Sequence, residues 1–499
     1  MHSSMAEVGI LYATATVHEG WDEVGKNGVI PLTDRITGGH AFAIVAYDER
    51  GFWIQNSWAK RWGLQGFGLI TYDDWLANGS DVWVARLGAP VILKKAESTA
   101  ISHSAAAGKS QAYSYSDLRP HIISIGNDGQ LNKGGNHGTS EDEVKAIFTE
   151  DFPRVTKDWS KKRLLLYAHG GLVHEDTAVQ RLADFRPALL QAEIYPVSFI
   201  WHSDFWNTVT NILQDAIRRR RPEGFIDASK DFMLDRMDDG LEPLARTLAG
   251  KLLWDQMKQN ARLATEAVDG GARMALEHIA DLAGNDDVEI HIVGHSAGAI
   301  FHAPLVRLLT SGGAITSGLL KGETGYGVRV ASCTLWAPAC TIDLFKEAYL
   351  PAIHEGGIKR FALFTLTDEA EQNDDCANVY HKSLLYLVSN AFESKPRIPV
   401  FRDGEKIVGI EKCVRNDKDL KNLFKTGKAD WVLAPNNETG DLQRASTARH
   451  HGDFDDDKPT LRATLARILS KPGAKTEFLI NRSSSSLRQT RQRLMDQVL

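Results

Sequence analysis

Between residues 118 and 470 the chain alternates short apolar runs with longer stretches whose apolar residues recur at helical spacing. The runs 163–168, 194–201, 288–293, 328–336, 360–366 and 431–434 are rich in apolar residues and short enough for strands. That is the pattern of strands buried on both faces, and its alternation with helices predicts an α/β fold with a doubly wound, mostly parallel sheet. A long helical stretch, 203–286, separates the second run from the third and includes 205–216 and 241–282. Its length reads as an inserted helical cap, with a plain extension of the core as the alternative.

Residues 1–95 carry a different pattern. Alternating apolar residues, with short strand-like segments such as 41–47 and 51–55, and a high content of Trp and Gly predict a small β-rich unit. The segment 96–117 is dominated by Ala and Ser without apolar period and reads as a linker. The end of the chain, 471–499, contains the serines 483–486 and several arginines and reads as a mobile basic tail.

Composition narrows the function. Against 58 Lys and Arg stand 64 Asp and Glu, so the net charge of −6 points away from nucleic acid. The four arginines 218–221 read as a solvated helix end. No apolar run reaches the ~20 residues that cross a bilayer, and the first residues lack a secretory signal, so the chain reads as soluble and cytoplasmic. Cys333, Cys340, Cys376 and Cys413 form no C-x-x-C pair, which argues against a disulfide framework and a zinc site and for a reducing compartment. The acidic run 453–457 lacks the spacing of a calcium loop and reads as an exposed charged turn. No cofactor and no metal is expected.

The chemistry concentrates at Gly294-His295-Ser296-Ala297-Gly298, which follows the run 288–293 and opens a helix. A G-x-S-x-G pentapeptide between strand and helix forms a turn so sharp that a side chain at either glycine collides with backbone. The serine is held in a strained conformation that lifts its hydroxyl clear of the sheet, at a helix N-terminus that favours negative charge. Upstream, the run 163–168 passes directly into His169-Gly170-Gly171.

These two motifs resemble the α/β-hydrolase superfamily of serine hydrolases over about residues 118–470. The resemblance implies an oxyanion hole built from the backbone N–H groups of Ala297 and Gly171, with Leu172 as a substitute for the latter. It also implies the chain order serine, acid, histidine, which places both partners of Ser296 downstream. Asp368, just past the run 360–366, is the chosen acid, with Glu369, Asp374 and Asp375 as rivals. His451, on a polar loop before the last helix, is the chosen base, with His450 as its rival. Read this way, the chain is a cofactor-free hydrolase of carboxylic esters or related acyl compounds acting on a small-molecule substrate.

The first unit carries a second signature. Gly39-His40-Ala41-Phe42 is followed by Gln55-Asn56-Ser57-Trp58, then Trp62-Gly63 and Gly66-Phe67. This resembles the C-terminal half of papain-like cysteine peptidases. The resemblance implies His40 as base, Asn56 as the group that orients its imidazole, and Trp58 as the shield of that hydrogen bond. Two positions depart from the family pattern, with Ala46 and Ala59 where glycines are usual. The nucleophile is missing, because only 39 residues precede His40 and the first cysteine is Cys333. The unit therefore reads as a truncated or remnant half-domain whose apolar former interface suits a protein partner or the missing half. Two alternatives to the esterase reading follow, a cysteine-type peptidase with incomplete machinery and a non-catalytic binding scaffold.

Overall fold

The computed structural model describes residues 1–2, 5, 9–25, 27–83, 115–134, 137–171, 175–201, 238, 241–285, 287–374, 380–399 and 401–470. Most of the expected linker, the first part of the expected cap and the basic tail lie outside the described residues. The chain forms two compact units, 1–98 and 99–499.

The first unit is an antiparallel sheet of β1 (Leu11–His18), β2 (Ile36–Tyr47), β3 (Gly51–Gln55), β4 (Phe67–Thr71) and β5 (Gly79–Trp83), in the order β4-β3-β2-β1-β5. Its core follows from period-two alternation. In β1 the buried positions are Leu11, Ala13, Ala15 and Val17, which pack with Trp21, Phe42 and Ile54. Three of the five strands, β1, β4 and β5, were not expected from the pattern.

The second unit is mixed α/β. Its strands are β6 (Ile122–Ile125), β7 (Lys162–Ala168), β8 (Tyr195–Trp201), β9 (Val288–His295), the short hairpin β10 (Gly312–Ala314) and β11 (Thr324–Tyr326), then β12 (Val330–Trp336), β13 (Phe361–Leu366) and β14 (Ala429–Ala434). All but the hairpin join one seven-stranded sheet in the order β14-β13-β12-β9-β7-β8-β6, and every neighbouring pair is parallel. Helices cover both faces. On one lie α1 (Glu175–Gln191) and α6 (Lys458–Ile468), which line a small apolar cavity with Leu165, Tyr167 and Trp336. On the other lie α2 (Lys251–Glu266), α3 (Gly271–Asn285), α4 (Gly298–Thr310) and α5 (Ile342–His354).

This packing corrects the expected extent of the cap. Ala272, Ala275, Leu276 and Ile279 of α3 are fully buried in the main core, and α2 packs on α4 through Trp254, Met257 and Ala261. An amphipathic helix that buries its apolar stripe against the sheet layer is part of the core. From 251 onward the span 203–286 therefore extends the core.

Burying histidines in this core makes its stability pH-dependent. His121 donates from Nδ1 to the Pro196 carbonyl at 2.7 Å, and His302 donates from Nε2 to the Val293 carbonyl at 3.2 Å. Burial pushes His121 down to about 4 and His302 to about 3, and it lowers His291 as well. The unfolded chain takes up these protons near pH 6.5 and the folded chain does not, so stability is fully present above that value. Each shift is worth a few kcal/mol, about 1.4 per pH unit. Stability measured by urea unfolding should stay level above pH 7 and fall as pH drops from about 6.5 towards 4. His302→Leu should flatten that slope; an unchanged slope in the variant would exclude His302 as a source.

Candidate active site

The turn at Ser296 is built where three strands end together. Trp336 of β12 stands beside His295, and Ala168 of β7 beside Gly294, so the carboxyl ends of β7, β9 and β12 are level. Ser296 has φ +52, in the left-handed region that costs a non-glycine residue about 1–3 kcal/mol. Two backbone hydrogen bonds hold it there: the Ser296 N–H donates to the Trp336 carbonyl at 2.9 Å, and the Ala339 N–H donates to the Ser296 carbonyl at 2.9 Å. The flanking glycines are required by contact. A Cβ at Gly298 would sit 2.2 Å from the Ala168 carbonyl oxygen, and one at Gly294 would meet the Gly298 backbone at 3.2 Å.

The loop His169–Gly171 packs against this turn. A Cβ at Gly170 would lie 3.1 Å from the Ser296 Cβ, and one at Gly171 would lie 3.3 Å from the Ala297 Cβ. His169 fixes the loop: its Nδ1 donates to the Gly170 carbonyl at 2.8 Å, and its Nε2 accepts from the Trp201 N–H at 3.2 Å. The Trp201 indole N–H also donates to the His169 carbonyl at 3.3 Å. Ala297 is the N-cap of α4, so its N–H belongs to the end of the helix that lacks intrahelical partners. Leu172 lies outside the described residues.

Downstream, the structure brings His451 and not His450 to the serine. The His451 Nε2 is 2.9 Å from the Ser296 Oγ, and both residues are buried. Among the described residues the structure brings Asp374 and not Asp368 to the loop of His451, while the rival Asp375 lies outside the described residues. Asp374 accepts from the His451 backbone N–H at 2.9 Å and meets the His450 Nδ1 at 2.7 Å. Asp368 turns elsewhere, accepting from the Tyr386 hydroxyl at 2.6 Å and the Gln372 side-chain amide at 2.9 Å. The reason is a single helical turn, Asp368–Gln372, capped by Thr367 directly after β13. It carries the chain onward before Asp374 returns to the loop.

The acidic run 453–457 is not an exposed turn. Asp453 and Asp455 are buried, and each carboxylate has a structural partner. Asp453 accepts from the Arg449 and His450 N–H groups, both at 3.0 Å, while Asp457 caps α6. Asp455 pairs with buried Arg181 of α1, and the same guanidinium faces Asp456 at 3.6 Å. Arg181, 270 residues upstream of His451, was missed because no local motif marks it. His295 joins this cluster, with its Nδ1 3.4 Å from Asp455 and its Nε2 3.2 Å from the His451 carbonyl. Burial first, and then the charge of His451, drive the affinity of His295 for protons well below the ordinary value. A neutral His295 removes one positive charge that would oppose protonation of His451.

In the first unit His40, Asn56 and Trp58 also come together. The His40 Nε2 meets the Asn56 Oδ1 at 2.8 Å, and the Trp58 ring lies 4.8 Å from the imidazole. Trp21 closes a second side at 6.0 Å. Ala59 has φ +69, which gives the physical reason that glycine is usual there. Of the described cysteines, Cys333 and Cys340 are buried in the second unit, and burial pushes the Cys340 thiol up to about 12, where it is inert.

Alanine normally stabilises a helix over glycine by about 1 kcal/mol, but the close approach at Gly298 reverses the sign. Gly298→Ala should cost several kcal/mol in urea unfolding, because the blocking atom is a backbone carbonyl that cannot rotate away. A neutral or stabilised variant would mean that α4 does not seat against β7.

No protein-family model matches the chain, and no curated protein matches it either. Among solved structures it is similar to an uncharacterized protein from Pseudomonas aeruginosa, at 11% identity and a TM-score of 0.25. The match covers 76% of this chain and 56% of that one, so the chain spans little more than half of that protein's length. Among the described residues no helix is long and apolar enough to cross a membrane.

Proposed function

We propose that the second unit is a serine hydrolase of the α/β-hydrolase type that cleaves carboxylic esters or related acyl bonds. The observation that carries this reading is the 2.9 Å approach of the His451 Nε2 to the Oγ of a serine held at φ +52. The topology supports it, since Ser296 follows the central strand of the parallel sheet. The glycine loop follows the neighbouring strand, and Asp374 and His451 follow β13 and β14. All four groups thus stand at the carboxyl edge, where open α/β sheets bind ligands.

His451 takes the Ser296 proton as Oγ attacks the acyl carbon, and general-base help of this kind is worth roughly 10²–10⁴-fold. Asp374 fixes the loop that carries the imidazole and stabilises the imidazolium that forms. The tetrahedral oxyanion falls to the backbone N–H groups of Ala297 and Gly171, each donor worth about 3–4 kcal/mol when lost. His451 then returns the proton to the leaving alcohol or amine. Water, activated by the same imidazole, releases the acid from Ser296.

A second reading is favoured by the 2.8 Å contact between His40 and Asn56, which suits half of a papain-like peptidase. Such a unit needs a cysteine from outside residues 1–98 and fits a binding role otherwise.

Fluorophosphonate labelling tests the proposal and maps the nucleophile. Ser296→Ala should abolish labelling and lower ester turnover by several orders of magnitude. His451→Ala should be nearly as severe and His450→Ala mild. Asp374→Asn should cost about 10²–10⁴-fold in kcat, and Asp368→Asn should stay within a few-fold of the parent. A folded Ser296→Ala protein that still labels would rule out Ser296. Equal losses at Asp368 and Asp374 would reopen the choice of acid.

A further inference from the structure

At the amino-terminal edge of the same sheet, opposite Ser296, the segments entering β13 and β14 enclose a cavity of about 120 Å³. A single water needs only ~10–15 Å³ on that measure, so there is room for an oxyanion with some of its hydration. Four cations line it: Lys359, Arg360, Lys428 and Arg467. Asp430 is the one carboxylate among the lining residues.

That carboxylate is already engaged. Asp430 accepts from the Arg467 Nη1 at 2.6 Å and faces Arg444 at 3.7 Å from outside the cavity. Among the described residues Lys359, Arg360 and Lys428 have no carboxylate within ion-pair distance. Arg467 is 6% exposed, its Nε donates to the Gln443 carbonyl at 2.8 Å, and its Nη2 is buried with no partner. Arg360 spends its Nε on the Ala331 carbonyl, and burial lowers its affinity for protons, with the Glu289 charge acting against that and the Arg467 charge adding to it. A buried guanidinium donor left unmatched is costly, and several cations converging on one space need an anion to offset them. Thr334, buried on the same wall, adds a hydroxyl.

We propose that this cavity binds a phosphate-class dianion, either free phosphate or the terminal phosphoryl group of a small phosphomonoester. The Arg467 Nη2, the Arg360 Nη groups and two exposed ammonium groups match three terminal oxygens and a charge near −2 better than a singly charged carboxylate. The site is independent of the hydrolase reading, because none of its residues belongs to the Ser296 constellation.

Isothermal titration of the full chain with inorganic phosphate, against chloride at matched ionic strength, tests it. Saturable binding is expected with a Kd of about 1 mM or tighter. The exposed pair Lys359→Gln/Lys428→Gln should weaken it at least about tenfold while leaving urea stability and ester turnover unchanged. Arg467→Gln should abolish binding, and the lysine pair keeps the test valid if that variant fails to fold. A parallel titration with glycerol phosphate separates the sources: tighter binding than phosphate assigns a phosphomonoester, and weaker binding assigns the free ion. Phosphate heats that match chloride, or an undiminished affinity in the double-lysine variant, would overturn the proposal.

Discussion

Ser296 cannot keep a left-handed backbone by itself, and the second unit is organised around holding it there. The strain of about 1–3 kcal/mol is offset by hydrogen bonds to Trp336 and from Ala339, both just beyond β12 or at its end. Those bonds exist because β9 and β12 are in parallel register, with His295 beside Trp336. The same register puts Ala168 of β7 beside Gly294, so that its carbonyl fills the space where a side chain at 298 would stand. The local strain, the glycine requirement and the sheet topology are one constraint seen at three scales.

Directly beyond this turn the chain faces an electrostatic problem. The loop 449–457 must come close enough for His451 to reach Ser296, yet it brings buried carboxylates with it. Arg181 answers Asp455 and Asp456, Asp453 takes two backbone N–H groups, and Asp457 is used as a helix cap. Buried ion pairs of this kind add little net stability, because desolvation cancels most of the attraction. Their effect is geometric: removing either partner leaves a bare charge, so only one placement of the loop is tolerated. The acidic run thus positions the loop that carries His451.

Much of the sheet was legible because buried parallel strands are continuous apolar runs. Six of its seven strands agree with those runs to within two residues, the exception being β6, whose four residues are too few to stand out. Ser296 was legible because its motif is local, and the glycines announce the contacts that require them. His451 was legible as one of two adjacent histidines; the choice between them depends on where a loop turns. Asp374 was not chosen, because the rule of placing the acid just past a late strand took no account of the helical turn capped by Thr367. Arg181 carried no signal at all, since its role depends on a contact between α1 and a loop some 270 residues later. In the first unit β1 and the edge strand β5 beside it were missed because their outward residues include Tyr12 and Trp83, which blur the alternation.

The two histidines differ in the polar neighbour beside them, a neutral amide on the His40 ring and the Asp374 carboxylate at the backbone of His451. Asn56 is neutral and holds His40 in place. That suits a nucleophile which ionises readily, such as a thiol with a pKa near 8.5, where the imidazole ends as one half of an ion pair. A serine hydroxyl ionises far less readily and loses its proton only as the bond to carbon forms, so its base must become an imidazolium at that moment. At His451 the Asp374 carboxylate accepts from the backbone N–H, and the buried neutral His295 adds no opposing charge. The buried thiols of Cys333 and Cys340 are held protonated by desolvation. In the proposed reading the serine chemistry belongs with His451, while residues 1–98 hold no cysteine to pair with His40.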